Sequence, residues 1–463
     1  MVASVCAVSL IEQASRAPCV NNETFGCQNL QDGPAIWVRN CRGTFRCAGT
    51  TEVVKCGFPP GREQYNCACS GAGEATLSTA FLALGGSNTC AHGLTGAERS
   101  YADLTANALR ISGAVDGLVN NCVAAAGPTF AAACMGRYVP TSARFATVEY
   151  LPNMGFAEST GVEYRAVDAL LQRLRALEVR VVVVNLYVTA GYKNWQQFTK
   201  RPMLETTHRK LLRLAAKHGA QSLTVNFSSP AQRGLFAHDN HLNARGHQFV
   251  HTELMRLFAE PEAPPAAHGG NDRAPQALTS TQCALGDELK PYVGHRSSFS
   301  KVNLCKAKGC KKVTWEAQAP GARLALCLNH SAMPPETRYR VALGFQTSHR
   351  QNLPLFGEAR LRCSGGCACN NATFNTLTDD HVTVTRFVSL DVGVQQPIRL
   401  QSSSRTHCAP SQCTIVVSNS HVADEPHRLE LRALIAGPRS PGFSYFFSEM
   451  LSATRNAPQQ WRR

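Results

Sequence analysis

Twenty cysteines in 463 residues limit what this chain can fold into, and their placement limits it further. One cluster runs through Cys19, Cys27, Cys41, Cys47, Cys56, Cys67 and Cys69. Cys90, Cys122 and Cys134 follow, and a last group extends from Cys283 to Cys413. None falls between Cys134 and Cys283. Cys67/Cys69 and Cys363/Cys367/Cys369 could imitate thiolate metal sites, but no paired CxxC…CxxC with zinc-finger spacing occurs. Disulfides are the better reading, which places the chain in an oxidising compartment. No metal is expected.

The sequons at Asn22, Asn226, Asn329 and Asn371 agree with a secreted or cell-surface glycoprotein. Val2 to Ile11 is a short apolar run, so a partial signal segment at 1–18 is one reading. No stretch reaches the ~18–20 apolar residues of a membrane span. The net charge is +15, with 17% charged and 44% hydrophobic residues. This is a globular composition with a basic balance. The nearest thing to a basic block, Lys306 to Lys312, is short and lacks interleaved aromatics. Nucleic acid is not expected as a partner, and acidic polysaccharide is the polyanion to test first.

Residues 1–75 read as a Cys-rich module of short strands. Trp37 and Phe45 are expected to fill its small core rather than to stack on sugar. Residues 78–258 alternate strands with helices. Strands are expected at Ala80–Leu84, Ala143–Tyr150, Val179–Tyr187 and Ser222–Asn226. Helices are expected at Tyr101–Ile111, Val162–Leu177, Met203–His218 and Leu242–Phe258. The β-branched run VRVVVVNLY is the mark of a strand buried on both faces. Such alternation implies an α/β fold with a parallel sheet between helical layers. Residues 259–280 are rich in Pro, Ala and Gly and read as a linker. Residues 281–455 carry short alternating runs, as in HVTVTRFVSL and CTIVVS, and predict an antiparallel β-sandwich with disulfides.

Four segments of the middle region hold candidate chemistry. LALGGSNT places Ser87 after two glycines at the end of an apolar strand, where open α/β sheets bind ligands. AAAGPTF holds Gly127. TVEYLPN holds Asn153, again just past a strand. HDNHLNARGH supplies His241 before the last helix. A serine hydroxyl is a weak nucleophile and needs a base beside it, and histidine is the usual one.

Ser, Gly, Asn and His in this order resemble the SGNH (GDSL-like) hydrolases over about residues 78–258. His-Leu-Asn-x-x-Gly-His is the most specific segment. Gly-Gly-Ser in place of Gly-Asp-Ser, and the Cys363-Ser-Gly-Gly-Cys367-Ala-Cys369 run in the C-terminal region, are similar to a divergent secreted branch in algae and plants. The resemblance implies a flavodoxin-like three-layer core and a serine esterase that needs no cofactor. It makes Ser87 the nucleophile and His241 the base. It places an oxyanion hole at the Ser87 and Gly127 N–H groups and the Asn153 side chain. The family's Asp, three residues before the His, is absent. His238 stands there, and Asp239 lies one residue nearer. Asp239 in a shifted register, or a Ser–His dyad alone, are both open. Gly-x-Asn-Asp is reduced to Asn153, and the asparagine that usually precedes the glycine is out of register, with Asn120 and Asn121 nearby.

The sequence thus predicts an esterase that removes an acyl group, acetyl among the candidates, from an extracellular glycan or lipid through an acyl-serine intermediate. The alternative is a weak or inactive relative that binds glycan or serves as a matrix protein.

Overall fold

The computed structural model describes residues 8–15, 17–21, 23–30, 33–47, 53–57, 65–68, 79–95, 98–154, 160–187, 201–227, 229–237, 241–261, 282–304, 312–328, 339–349, 357–378, 384–394, 408, 412–420 and 428–438. They fall into two compact units, Met1–Ser78 and Thr79–Arg463.

The first unit contains β1 (Val8–Gln13), β2 (Phe25–Leu30), β3 (Gly33–Val38), β4 (Gly43–Cys47), β5 (Val53–Cys56) and β6 (Tyr65–Ala68). They form two antiparallel three-stranded sheets, β1-β4-β5 and β2-β3-β6. So small a unit has little core, and disulfides Cys19–Cys41 and Cys56–Cys67 supplement it. Phe25, Ile36, Val38 and Phe45 fill its centre, whereas Trp37 is half-buried with the Arg39 guanidinium over its ring.

The second unit opens with β7 (Ala80–Gly85), α1 (Tyr101–Ile111), β8 (Gly117–Cys122), α2 (Thr129–Ala133), α3 (Met135–Tyr138), β9 (Ala143–Glu149), α4 (Leu151–Met154) and α5 (Thr160–Ala176). It continues with β10 (Arg180–Tyr187), α6 (Arg201–Lys217), β11 (Gln221–Asn226), α7 (Pro230–Arg233) and α8 (Ala244–Ala259). The five strands are parallel, in the order β11-β10-β9-β7-β8. Counted from β7, this is the flavodoxin-like order 2-1-3-4-5. Both faces are covered, which is why β7 and the Val181–Leu186 stretch of β10 are buried throughout. Each buried Val, Leu or Phe side chain there contributes about 1.5–3 kcal/mol. On one face lie α1 and α8, with Phe81, Val182 and Val184 of the sheet under Leu109, Val250 and Leu254. On the other face lie α2, α5 and α6, with Leu82, Val148 and Val183 under Phe130, Leu170 and Leu211. The sequence did not signal β8: GLVNNC lacks a clean alternation, and as an edge strand its side chains are mostly half-buried.

The C-terminal region is a β-sandwich, almost wholly antiparallel. One sheet orders Phe299–Asn303, Val313–Ala317, Leu429–Pro438, Tyr339–His349, Val384–Val394 and Cys367–Cys369. The other orders Val293–Ser297, Arg323–Leu328, Cys413–Asn419, Glu358–Gly365 and Ala372–Asn375. Leu324, Leu326, Val341, Leu343, Ile415 and Val417 pack between them. Alternate residues of the first sheet point the other way. Ala342, Phe387, Ala433 and Ile435 join the core of the α2/α5 face, where Phe387 stacks on Phe130 with ring centroids 6.3 Å apart. Disulfide Cys134–Cys283 and the Arg137–Glu288 ion pair fasten the same junction. Of the expected linker, Ala259 closes α8, and residues 262–280 lie outside the described residues.

The sulfurs of Cys363, Cys367 and Cys413 lie within 4.8 Å of one another. They are tied up as Cys363–Cys369 and Cys367–Cys413, and an oxidised sulfur is no thiolate ligand. Among the described cysteines none is free. No helix among the described residues is long and apolar enough to cross a membrane. Asn371 is exposed and Asn226 half-buried, while Asn22, Asn329 and Lys306–Lys311 lie outside the described residues.

Candidate active site

The strand order reverses at β7, which has β8 on one side and β9 on the other. Loops leaving the carboxyl ends of β7 and β9 diverge there and open a crevice. Ser87 follows β7, and Asn153 lies in α4, directly after β9.

The turn that carries Ser87 needs both of its glycines. A Cβ at Gly85 would stand 2.0 Å from Thr89 Oγ1 and 2.8 Å from the Glu149 carbonyl oxygen. A Cβ at Gly86 would stand 2.0 Å from Asn153 Oδ1. With its oxygen against Gly86, the Asn153 amide nitrogen is the more distant atom, 3.8 Å from that point. The Gly86 N–H donates to both the Glu149 carbonyl, at 3.1 Å, and the Glu149 carboxyl, at 3.3 Å. Thr89 Oγ1 donates to the same carboxyl oxygen at 3.0 Å and lies 2.7 Å from the Tyr101 hydroxyl. Glu149 is fully buried, and burial pushes its carboxyl up to about 8 against the pull of these donors. Disulfide Cys90–Cys122 ties the turn to the end of β8.

His241 Nε2 lies 2.9 Å from Ser87 Oγ. Every fixed position of His-Leu-Asn-x-x-Gly-His has a physical task. Leu242 is buried, and its N–H donates to the Asn88 side chain at 2.8 Å, which docks the His241 backbone on the Ser87 turn. Asn243 caps α8 by accepting from the Gly246 N–H at 3.0 Å, and its amide donates to the Gly234 and Phe236 carbonyls. A Cβ at Gly246 would stand 2.1 Å from the Leu235 carbonyl oxygen. His247 Nδ1 accepts from the Tyr101 N–H at 3.1 Å, and burial holds this ring down to about 4, so it is neutral. Gly93 lies opposite with φ of +98°, and a Cβ there would come 2.9 Å from that of His241. His92, read from sequence as a bystander, packs its ring 4.5 Å from the His241 ring.

Gly127 lies on the loop that leaves β8. The loop starts beside the Ser87 strand, where the Val123 N–H donates to the Gly85 carbonyl at 2.9 Å. A Cβ at Gly127 would stand 3.1 Å from a carboxyl oxygen of Glu163, on α5. That carboxyl is also pushed up to about 8 by burial, with Arg386 of the sandwich pulling the other way. Asn120 and Asn121 have backbone tasks: their amides donate to the Thr89 and Tyr138 carbonyls. His238 and Asp239 lie outside the described residues.

The structure thus joins Ser87 and His241 directly and brings Asn153 against the Ser87 turn. Glu149 was not singled out from sequence, because one Glu at the end of a strand carries no pattern. Chemically, a hydroxyl, an imidazole and an amide at the mouth of a parallel sheet can take a proton, form a bond to carbon and receive negative charge.

No family model matches the sequence, and no curated protein matches it. Solved structures do. A two-domain esterase (CEX) active on acetylated mannans is 14% identical, with a TM-score of 0.45, covering 78% of this chain and 92% of its own. Axe2, an acetylxylan esterase from Geobacillus stearothermophilus, is 12% identical, with a TM-score of 0.32, covering 40% of this chain and 95% of its own. LAE5, an alpha/beta hydrolase from the metagenome of Lake Arreo, is 18% identical, with a TM-score of 0.31, covering 39% of this chain and 95% of its own.

Proposed function

We propose that the protein is a serine esterase of the SGNH type, acting through an acyl-enzyme at Ser87. The observation that carries this reading is the 2.9 Å approach of His241 Nε2 to Ser87 Oγ at the switch point of the sheet. His241 Nε2 takes the Ser87 proton as Oγ bonds to the ester carbon. The carbonyl oxygen becomes an oxyanion, received by the Ser87 and Gly127 N–H groups and the Asn153 amide. Collapse breaks the bond to the alcohol, which leaves with the proton held on Nε2. Water, deprotonated by His241, then attacks the acyl carbon, releases the acid and restores the Ser87 hydroxyl. Asp239 is assigned to orient His241, so that Nδ1 carries the proton and Nε2 is the acceptor. No metal or organic cofactor takes part in these steps.

The substrate is an acyl ester, acetyl among the candidates, on an extracellular glycan or lipid. The charge of +15 favours a glycan that also bears acid groups. Disulfides in both units favour secretion or the cell surface.

The test is hydrolysis of p-nitrophenyl acetate with fluorophosphonate labelling, in wild type and Ser87→Ala. Wild type should be labelled and active, and the variant unlabelled, with kcat lower by at least about 10³-fold. A wild type that takes no label has no working nucleophile, and equal labelling of the variant means another serine.

A further inference from the structure

The loop from Val123 to Gly127 is tied to the α/β region by the Val123 N–H on the Gly85 carbonyl, and the Ala124 and Ala125 carbonyls turn towards the β-sandwich. Ala125 adopts φ of +56°, a left-handed conformation that an alanine holds only when its surroundings enforce it. A turn closed by the Ala126 N–H on the Val123 carbonyl, at 3.1 Å, sets it locally, and Thr385 and Arg432 hold that turn from outside. The Thr385 N–H and Oγ1 both donate to the Ala125 carbonyl, at 2.7 and 3.0 Å. Arg432 Nη1 donates to the Ala124 carbonyl at 2.8 Å and to Thr385 Oγ1 at 3.0 Å. Ala126 forms an isolated parallel bridge with Thr385. These partners lie 260 and 308 residues further along the chain.

Arg432 is 1% exposed, a costly place for a guanidinium that did no more than fill space. Its charge is supported by Glu430, two residues earlier on the same strand and therefore on the same face. Glu430 is held in turn by Arg428, which also pairs with Glu316 at 3.1 Å. The sandwich thus spends a buried charge network, and one arm of it ends on the backbone just before Gly127.

We propose that the β-sandwich is a working part of the hydrolytic site, with Thr385 and Arg432 as positioning residues that hold the Ala124–Gly127 loop so that the Gly127 N–H is aimed at the oxyanion before the reaction begins. The proposal rests on the esterase reading above, in which Gly127 is an oxyanion donor. A preorganised donor is effective because it needs no reorganisation when charge develops, and a displacement of about 1 Å can cost about 10²-fold in rate. The sandwich then affects kcat without touching the substrate.

The experiment compares the full chain with Thr385→Val, which keeps shape and backbone N–H, and with Arg432→Met and Arg432→Lys. Steady-state hydrolysis of p-nitrophenyl acetate, the fluorophosphonate labelling rate, and hydrogen exchange of the peptide covering residues 123–127 are all read well below each variant's unfolding midpoint. Thr385→Val and Arg432→Met should lower kcat and labelling about 10- to 100-fold, with KM nearly unchanged. Exchange at the loop should rise while exchange across β7 stays at the wild-type level. Arg432→Lys should recover part of the rate. Variants that unfold at lower temperature yet turn over at the wild-type kcat when folded would overturn the proposal and leave the esterase reading intact. Wild type without Ser87-dependent labelling would remove both.

Discussion

Ser87 and His241 are held by bonds that begin and end inside the α/β region, whereas the loop carrying Gly127 takes three bonds from the β-sandwich. On the first side, glycines allow the backbone to approach Thr89, Asn153 and Leu235, and Asn88 and Asn243 turn side-chain amides into backbone contacts. All of these residues but Leu235 lie in a short motif. On the second side the loop bonds Val123 to Gly85, closes its own turn from Ala126 to Val123, and hands the Ala124 and Ala125 carbonyls to strands far along the chain. The pair assigned to proton transfer is locally encoded, and one of the three groups assigned to receive charge, the Gly127 N–H, depends on docking. A disulfide and an ion pair fasten that docking surface close by.

The sharpest test of the self-contained side is Asp239. If His241 is oriented from within its own motif, Asp239→Asn should lower kcat by as much as about 10⁴-fold, while His238→Asn stays near wild type. A wild-type rate in Asp239→Asn would leave a Ser–His dyad. Gly86→Ala comes next. The added methyl must displace Asn153 Oδ1, and a fall in kcat of about 10²-fold is expected with little change in KM. Unaltered kcat in this variant would mean that Asn153 is not a donor. The sandwich variants above belong in the same range or just below it. If they outweigh Gly86→Ala, the docked side dominates the barrier.

The smallest effect is one of stability. Each side buries a carboxyl pushed up to about 8, Glu149 beneath the Ser87 turn and Glu163 beside Gly127. In the unfolded chain such groups lose their protons near 4.5. The folded state binds the extra proton between those values, so this stability is full below about 4.5 and is lost as the pH rises through 8. Glu149→Gln keeps an acceptor for Gly86 and Thr89 and removes the titration. The unfolding midpoint of the variant should fall less than that of wild type between pH 5 and 9. Glu163 is pushed up to the same value even with Arg386 beside it, so Glu163→Gln should flatten the profile to a similar extent. Equal slopes in wild type and Glu149→Gln would show that this carboxyl stays charged when buried.

Much of the middle region was legible. The apolar spacing of Val162–Leu177 and the run at Val179–Tyr187 became α5 and β10 within two residues, because an amphipathic stripe or a doubly buried strand is written in adjacent positions. Edge strand β8 was not legible, since Asn120 and Asn121 serve the Thr89 and Tyr138 carbonyls rather than a core. Glu149 was invisible for a similar reason: what distinguishes it is the enclosure around it, not its neighbours in sequence.

Sequence alone therefore determined the main strands and helices of the middle region, the oxidised stapling of the ends and the meeting of Ser87 with His241, because each is encoded in periodicity, composition or a compact motif. Tertiary structure decided which cysteines pair, that β8 lies beside β7, and that Thr385 and Arg432 close on the loop before Gly127. Those contacts join backbone carbonyls to side chains hundreds of residues away. A carbonyl has no identity in the sequence, so only the folded chain shows which donor finds it.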